Sequence, residues 1–195
     1  SIGLRYPLNG GLSYGLTLTY NSKAWDVEQL GSFVHTTPAS RSNAGMGWLL
    51  SMGRLIGHDD PTNNSHNDIY ESPDGADHVL DGTKAGTTCD AAGCFPAYSS
   101  DGSNLRQRRI DSFTMEVDSP DGVPRKFVKS GTSWSLVEIR NGNDSNTVGI
   151  EPPDPSEYRT QCPGANSMWL ITDTQGRSQY VCFKNRSYGG NWRPT

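Results

Sequence analysis

The chain has no run of eighteen apolar residues, so no stretch of it reads as a helix that spans a membrane. Charge is scarce, at 19% Asp, Glu, Lys and Arg, and the acidic residues outnumber the basic ones by 21 to 17. A nucleic-acid partner normally demands a basic face, and a net charge of −4 argues against one. Sustained i, i+3, i+4 apolar spacing with caps is missing too. Almost no helix is therefore expected, and Val27 to Val34 is the best helical candidate. A glycine-rich phosphate loop is absent, and His35, His58, His66 and His78 contain no His-x-x-x-His pair.

What fills the chain instead is glycine (22), proline (12) and many Ser, Thr, Asn and Asp, with apolar content down at 33%. Five Trp, eight Tyr and five Phe are spread through that background, and the net charge is small. This combination favours a folded, turn-rich β protein over a disordered one. At 195 residues the chain is long enough for a real core, and 1–195 reads as a single all-β domain.

Turn signals recur at Asn9-Gly10, Asp74-Gly75, Asp81-Gly82, Asp101-Gly102, Asp121-Gly122, Asn141-Gly142 and Gln175-Gly176. Asx-Gly pairs suit type I′ hairpin turns, in which both central residues take positive φ. Between them lie strand candidates at Leu12 to Asn21, Trp48 to His58, Asp68 to Ser72, His78 to Leu80 and Phe113 to Ser119. Others are Arg125 to Lys129, Ser133 to Arg140, Thr147 to Glu151, Met168 to Asp173 and Ser178 to Lys184. About ten short strands joined by tight turns make an antiparallel meander with long polar loops. One internal echo stands out. Tyr70-Glu-Ser-Pro-Asp-Gly75 and Val117-Asp-Ser-Pro-Asp-Gly122 both run from strand into Ser-Pro-Asp-Gly.

Four cysteines at 89, 94, 162 and 182 allow three pairings. Cys89 and Cys94 bracket a short loop with glycine before the second thiol, compatible with a local disulfide. Cys162 and Cys182 flank an apolar strand pair that a disulfide would staple. Unpaired thiols are the alternative, and the spacing suits zinc poorly. An oxidised, exported protein is the expectation. Ser1 in place of Met, with no signal peptide in view, reads as a piece of a longer polypeptide.

Three clusters are candidate sites. The loop holding His58, Asp59, Asp60, His66 and Asp68 is dense in oxygen and imidazole donors, so calcium or a transition metal is a candidate ligand, although no Gly or Glu sits where a twelve-residue calcium loop needs it. A solvated loop explains the same residues. Paired carboxylates, Asp59 with Asp68 and Glu116 with Asp118, are the raw material of a glycoside hydrolase, and equally of a charged surface. Trp25, Tyr98, Trp134, Tyr158, Tyr188 and Trp192 are candidates for a sugar-binding platform. Trp25, Tyr188 and Trp192 lie in the more polar segments, whereas Trp48 and Trp169 sit in apolar runs and read as core. Three Asn-x-Ser sequons, at Asn63, Asn143 and Asn185, mark surface positions.

Leu16-Thr-Leu-Thr-Tyr-Asn-Ser22, Gly45-Met-Gly-Trp-Leu-Leu-Ser51, Tyr70-Glu-Ser-Pro-Asp-Gly75, Pro120-Asp-Gly122 with Phe127, Trp134-x-Leu136-x-x-Ile139 with Gly142-Asn143, and Trp169-Leu-Ile-Thr-Asp173 with Gly176-Arg177 form an ordered series. In that order they resemble the N-terminal part of the shell domain of Rhs/YD-repeat proteins. The resemblance implies a non-catalytic β scaffold, secreted or at the cell surface of a bacterium, that encloses a toxin or serves adhesion. Its partners would be the remainder of a larger shell polypeptide or its cargo, with no cofactor. Tandem Tyr-Asp repeats and a self-cleavage motif are absent from these residues, so the resemblance implies the first sheet of a shell. In that role Gly45, Gly47 and Trp48 would lock strand crossings. A carbohydrate-binding module and a metal-dependent or carboxylate hydrolase are the rival readings.

Overall fold

The computed structural model describes residues 2–7, 12–22, 24–38, 41–60, 63, 66–83, 88–90, 93–141, 146–151, 160–184, 187–188 and 191–192. Among them the short alternating runs become strands. In chain order these are β1 (Ile2–Pro7), β2 (Ser13–Tyr20), β3 (Trp25–Leu30), β4 (Phe33–Pro38), β5 (Trp48–Ser51), β6 (Arg54–Ile56) and β7 (Asp68–Glu71). There follow β8 (Asp77–Asp81), β9 (Thr88–Asp90), β10 (Gly93–Phe95), β11 (Ala97–Ser99), β12 (Arg106–Asp111), β13 (Thr114–Asp118) and β14 (Pro124–Ser130). The last are β15 (Ser133–Arg140), β16 (Thr147–Glu151), β17 (Ser167–Asp173), β18 (Ser178–Phe183), β19 (Ser187–Tyr188) and β20 (Asn191–Trp192).

The protein is all-β, and the main sheet is an antiparallel meander. Eleven strands, β6 to β8 and β11 to β18, join in chain order into one sheet, with the β9–β10 hairpin stepping out between β8 and β11. A second sheet of three strands has the order β1-β2-β5, and β3 and β4 form a hairpin of their own. The count is double the expected ten. The strands missed by pattern include the charged Arg106-Gln-Arg-Arg of β12, the very short β9 to β11, and the six-residue β1, β3 and β4.

The helical expectation at Val27 to Val34 is overturned: these residues are the β3–β4 hairpin, paired Val27 with Thr36 and Leu30 with Phe33. Gly31 sits at its tip with φ +63°, and the β-branched valines favour strands. The single strand expected from Trp48 to His58 breaks at Gly53, where φ is +109° and a Cβ would lie 2.7 Å from the Tyr70 hydroxyl. Only glycine passes there, and the break sends β5 to one sheet and β6 to the other.

Two cores result. Leu55, Tyr70, Leu80, Ala97, Leu105, Met115, Val117, Phe127 and Trp134 form the first, drawn from β6 through β15. Their strands curl so that β6 returns against β15 without a ladder between them. Just past β6, Asp59 accepts a hydrogen bond from Lys129 Nζ at 2.6 Å, and that ammonium lies 5.4 Å from the Trp134 ring centre. The contact ties the two ends of the curl. The second core packs Leu12, Tyr14, Leu16 and Met52 onto Ile139, Val148, Ile150 and Ile171. It fastens the three-stranded sheet to the far end of the large one.

The outer face of the curl is charged and still closely covered. Glu116 is buried because Arg108 and Arg140 bond its two oxygens at 2.7 and 2.5 Å, while Arg106 and Arg108 share Asp118. Opposite charges in register across antiparallel strands support the pairing. Both local expectations for cysteine hold: Cys89 bonds Cys94 and Cys162 bonds Cys182.

The turn type is corrected. In both Ser-Pro-Asp-Gly turns only the glycine has positive φ, +86° at Gly75 and +75° at Gly122. Proline at the second position and glycine at the fourth build a type I turn that ends in a left-handed residue, not a type I′ turn. The glycine N–H closes it on the serine carbonyl, at 2.8 Å in the first turn and 2.9 Å in the second. Asn9-Gly10 lies outside the described residues.

Candidate functional site

The loop that follows β6 is organised by Asn63. Its amide nitrogen donates to the carbonyls of Gly57, Asn67 and Ile56 at 2.9, 3.0 and 3.4 Å. A half-buried side chain so engaged is not the free surface asparagine that its sequon suggested. The sequon at Asn143 and the asparagine of the one at Asn185 lie outside the described residues. Drawing the loop ends together places His58, His66 and Asp68 around one cavity of about 160 Å³, with Gln107 and Thr83 in its wall.

Asp68 is 6% exposed and Gln107 1%. Asp68 Oδ1 accepts from the His58 backbone N–H at 2.8 Å and from its ring Nδ1 at 2.9 Å, and Oδ2 accepts from Gln107 Nε2 at 2.6 Å. The candidate metal residues thus separate. His58, His66 and Asp68 share the cavity, whereas Asp59 is turned to Lys129, whose hydrogen bond holds its carboxyl below the usual aspartate range. Among the described residues no three His, Cys, Asp or Glu side chains converge in a metal-holding group.

The carboxylate pairs are spoken for. Glu116 and Asp118 share Arg108, and Asp59 and Asp68 face different partners. The aromatic platform is also dispersed. Trp134, a candidate for it, is 8% exposed and belongs to the first core, while Tyr98 is half-buried in β11. Trp25 is 45% exposed, on the separate β3–β4 hairpin with the 77%-exposed Phe33. Tyr158 and the side chains of Tyr188 and Trp192 lie outside the described residues. Trp48 packs on Tyr20 at 5.1 Å between ring centres, and Trp169 meets Phe183 edge-on at 4.8 Å.

At Gly47, with φ +77°, a Cβ would stand 2.8 Å from the Asn21 carbonyl oxygen and from the Tyr20 ring. Gly45, with φ +120°, leaves room for Trp48 at 3.7 Å. The first is a close crossing of β2 by the segment entering β5, and the second a turn whose carbonyl accepts from the Trp48 N–H at 2.9 Å.

Sequence reasoning missed one constellation. His78 Nδ1 lies 2.5 Å from Asp101 Oδ2 and its Nε2 3.3 Å from Ser72 Oγ, which is the residue set of a hydrolytic triad. The serine hydroxyl donates instead to Asp74 and to the Ala76 carbonyl, as Ser119 does to Asp121 and Val123 in the second turn. Its proton is committed to the turn, so the set is a brace. A Gly-x-Ser-x-Gly pattern starting at Gly11 was also missed in the sequence: its Ser13 opens β2 opposite Pro7, and the chain continues as strand to Tyr20, where a nucleophile elbow would turn from strand into helix.

A larger, mostly apolar groove of about 440 Å³ lies beside the β5–β6 break. Its two arginines, Arg41 and Arg54, both bond the buried Glu71. No helix among the described residues is long and apolar enough to cross a membrane. No protein-family model matches the chain, and no curated protein sequence matches it.

Proposed function

We propose that this chain is a non-catalytic β scaffold, the opening sheet of a secreted or surface shell of the Rhs/YD-repeat kind, whose partner is further shell or its cargo. One observation carries the reading: strands enter the large sheet in chain order, each antiparallel to the one before it in the sheet, and β18 stands last with one edge unladdered among the described residues. A sheet built that way lengthens by adding hairpins, which is what a shell wall requires. Reuse of the Ser-Pro-Asp-Gly turn, with the same set of hydrogen bonds, fits modular growth. The two disulfides, with no free cysteine among the described residues, suit an oxidising compartment. Among the described residues, the Ser72–His78–Asp101 set and the pair Glu116 and Asp118 are bonded into braces.

The test is hydrogen exchange on the 195-residue chain and on the chain extended through the coding sequence that follows Thr195. Shell continuation predicts new protection of the amides in β18 in the longer protein. A coding sequence that stops, or that leaves β18 exchanging at its original rate, overturns the proposal.

A further inference from the structure

The scaffold reading leaves the cavity beside β7 without a task, and its chemistry is specific. One amide group, on Asn63, bonds the carbonyls of Gly57 and Asn67, the neighbours of His58 and His66. That pinch puts His58 and His66, eight residues apart, in the lining of one cavity. Asp68 then fixes the first of them. A carboxylate only accepts, so Nδ1 is the donor in its contact with His58, and the tautomer with that proton alone has its lone pair on Nε2. A carboxylate on the far ring nitrogen is how a metal-ligating histidine is held in tautomer and made more basic. Behind it stands a second support, because Gln107 occupies the other oxygen of Asp68 from within the core.

We propose that His58 and His66 form a binding site for a divalent transition-metal ion such as zinc or nickel, with Asp68 as a positioning residue and water completing the coordination. The donor set selects the ion. Imidazole suits zinc, copper and nickel, whereas calcium wants several free oxygens. Here both oxygens of Asp68 are already accepting, and Asp59 is bonded to Lys129. The site is a two-imidazole, exchangeable one, and it stands or falls independently of the shell proposal.

The experiment is calorimetric titration of the tag-free, chelator-treated chain with zinc chloride and with nickel chloride, read alongside the histidine ring signals by NMR. One equivalent should bind, shifting the signals of His58 and His66 and sparing those of His35 and His78. His66→Ala, at an exposed loop position, should abolish saturable binding while the β-sheet circular dichroism is retained. Asp68→Asn should weaken binding about tenfold or more, the usual cost of losing such a support. Asp59→Asn should leave the affinity unchanged. No saturable heat, equal shifts at all four histidines, or undiminished binding by His66→Ala would each overturn the proposal.

Discussion

The two Ser-Pro-Asp-Gly turns, 72–75 and 119–122, have the same local structure and different surroundings. In each, the serine hydroxyl donates to the aspartate and to the carbonyl beyond the glycine, and the aspartate accepts from that next residue's N–H. The residue six places after the serine reaches back to its hydroxyl in both, as His78 in the first turn and Arg125 in the second. There the likeness ends. The first turn is wedged into the fold: a Cβ on Gly75 would stand 3.2 Å from the Thr19 methyl, and His78 is bonded to Asp101 of the β11–β12 turn. Around Gly122 a Cβ would meet nothing within 4 Å. Four residues therefore suffice to make the turn, and the neighbours decide how much of the molecule depends on it.

The largest test of this comparison lies one strand in. Leu80 and Phe127 each sit eight residues after the turn serine, and both are buried in the first core. Phe127→Ala should cost about 4 kcal/mol and Leu80→Ala about 3 kcal/mol by urea denaturation. The two strands act as equivalents if both losses are of this size, and a near-neutral value at either breaks the equivalence.

Substituting the glycines should then separate the two turns. Gly122→Ala should cost about 1 kcal/mol, for the left-handed backbone alone. Gly75→Ala adds the Thr19 contact and should cost about 2 kcal/mol or more. Equal costs would mean that the first turn is no more embedded than the second. Next in size are the two side chains that reach back to the turn serines. His78→Ala should cost about 1–2 kcal/mol, since it frees two turns from one another, and Arg125→Ala about 1 kcal/mol or less.

Acid should have the smallest effect. The hydroxyl and N–H of Ser103, then His78, hold the Asp101 carboxyl well below the usual range, and Ser72 lowers that of Asp74. A depressed folded-state pKa contributes stability that is complete above the unfolded value, about 3.9, and is lost as pH falls below it. Asp101→Asn should flatten the fall in urea midpoint between about pH 5 and pH 3, and an unaltered slope would remove Asp101 from the brace.

Much of the meander was legible. β15 and β16 fall where the alternation of Ser133 to Arg140 and Thr147 to Glu151 puts them. β12 was not, because its outward side chains are arginines whose partners, Asp118 and Glu116, lie on the next strand. Trp134 was one of six candidate platform aromatics, yet it lies buried in the first core. Of the candidate metal loop, the residue types were visible and the sorting was not. Asp59 goes to Lys129, seventy residues on, and Asp68 to Gln107, thirty-nine on.

By itself the sequence determined the turns, the strand alternation and the all-β class, because each rests on side chains and glycines within a few residues of one another. Tertiary structure alone decided three things: that β6 closes against β15, that a serine, a histidine and an aspartate make a brace, and that His58 and His66 share a cavity. Those outcomes depend on contacts between distant strands, where burial and pairing choose the partner and local pattern is silent.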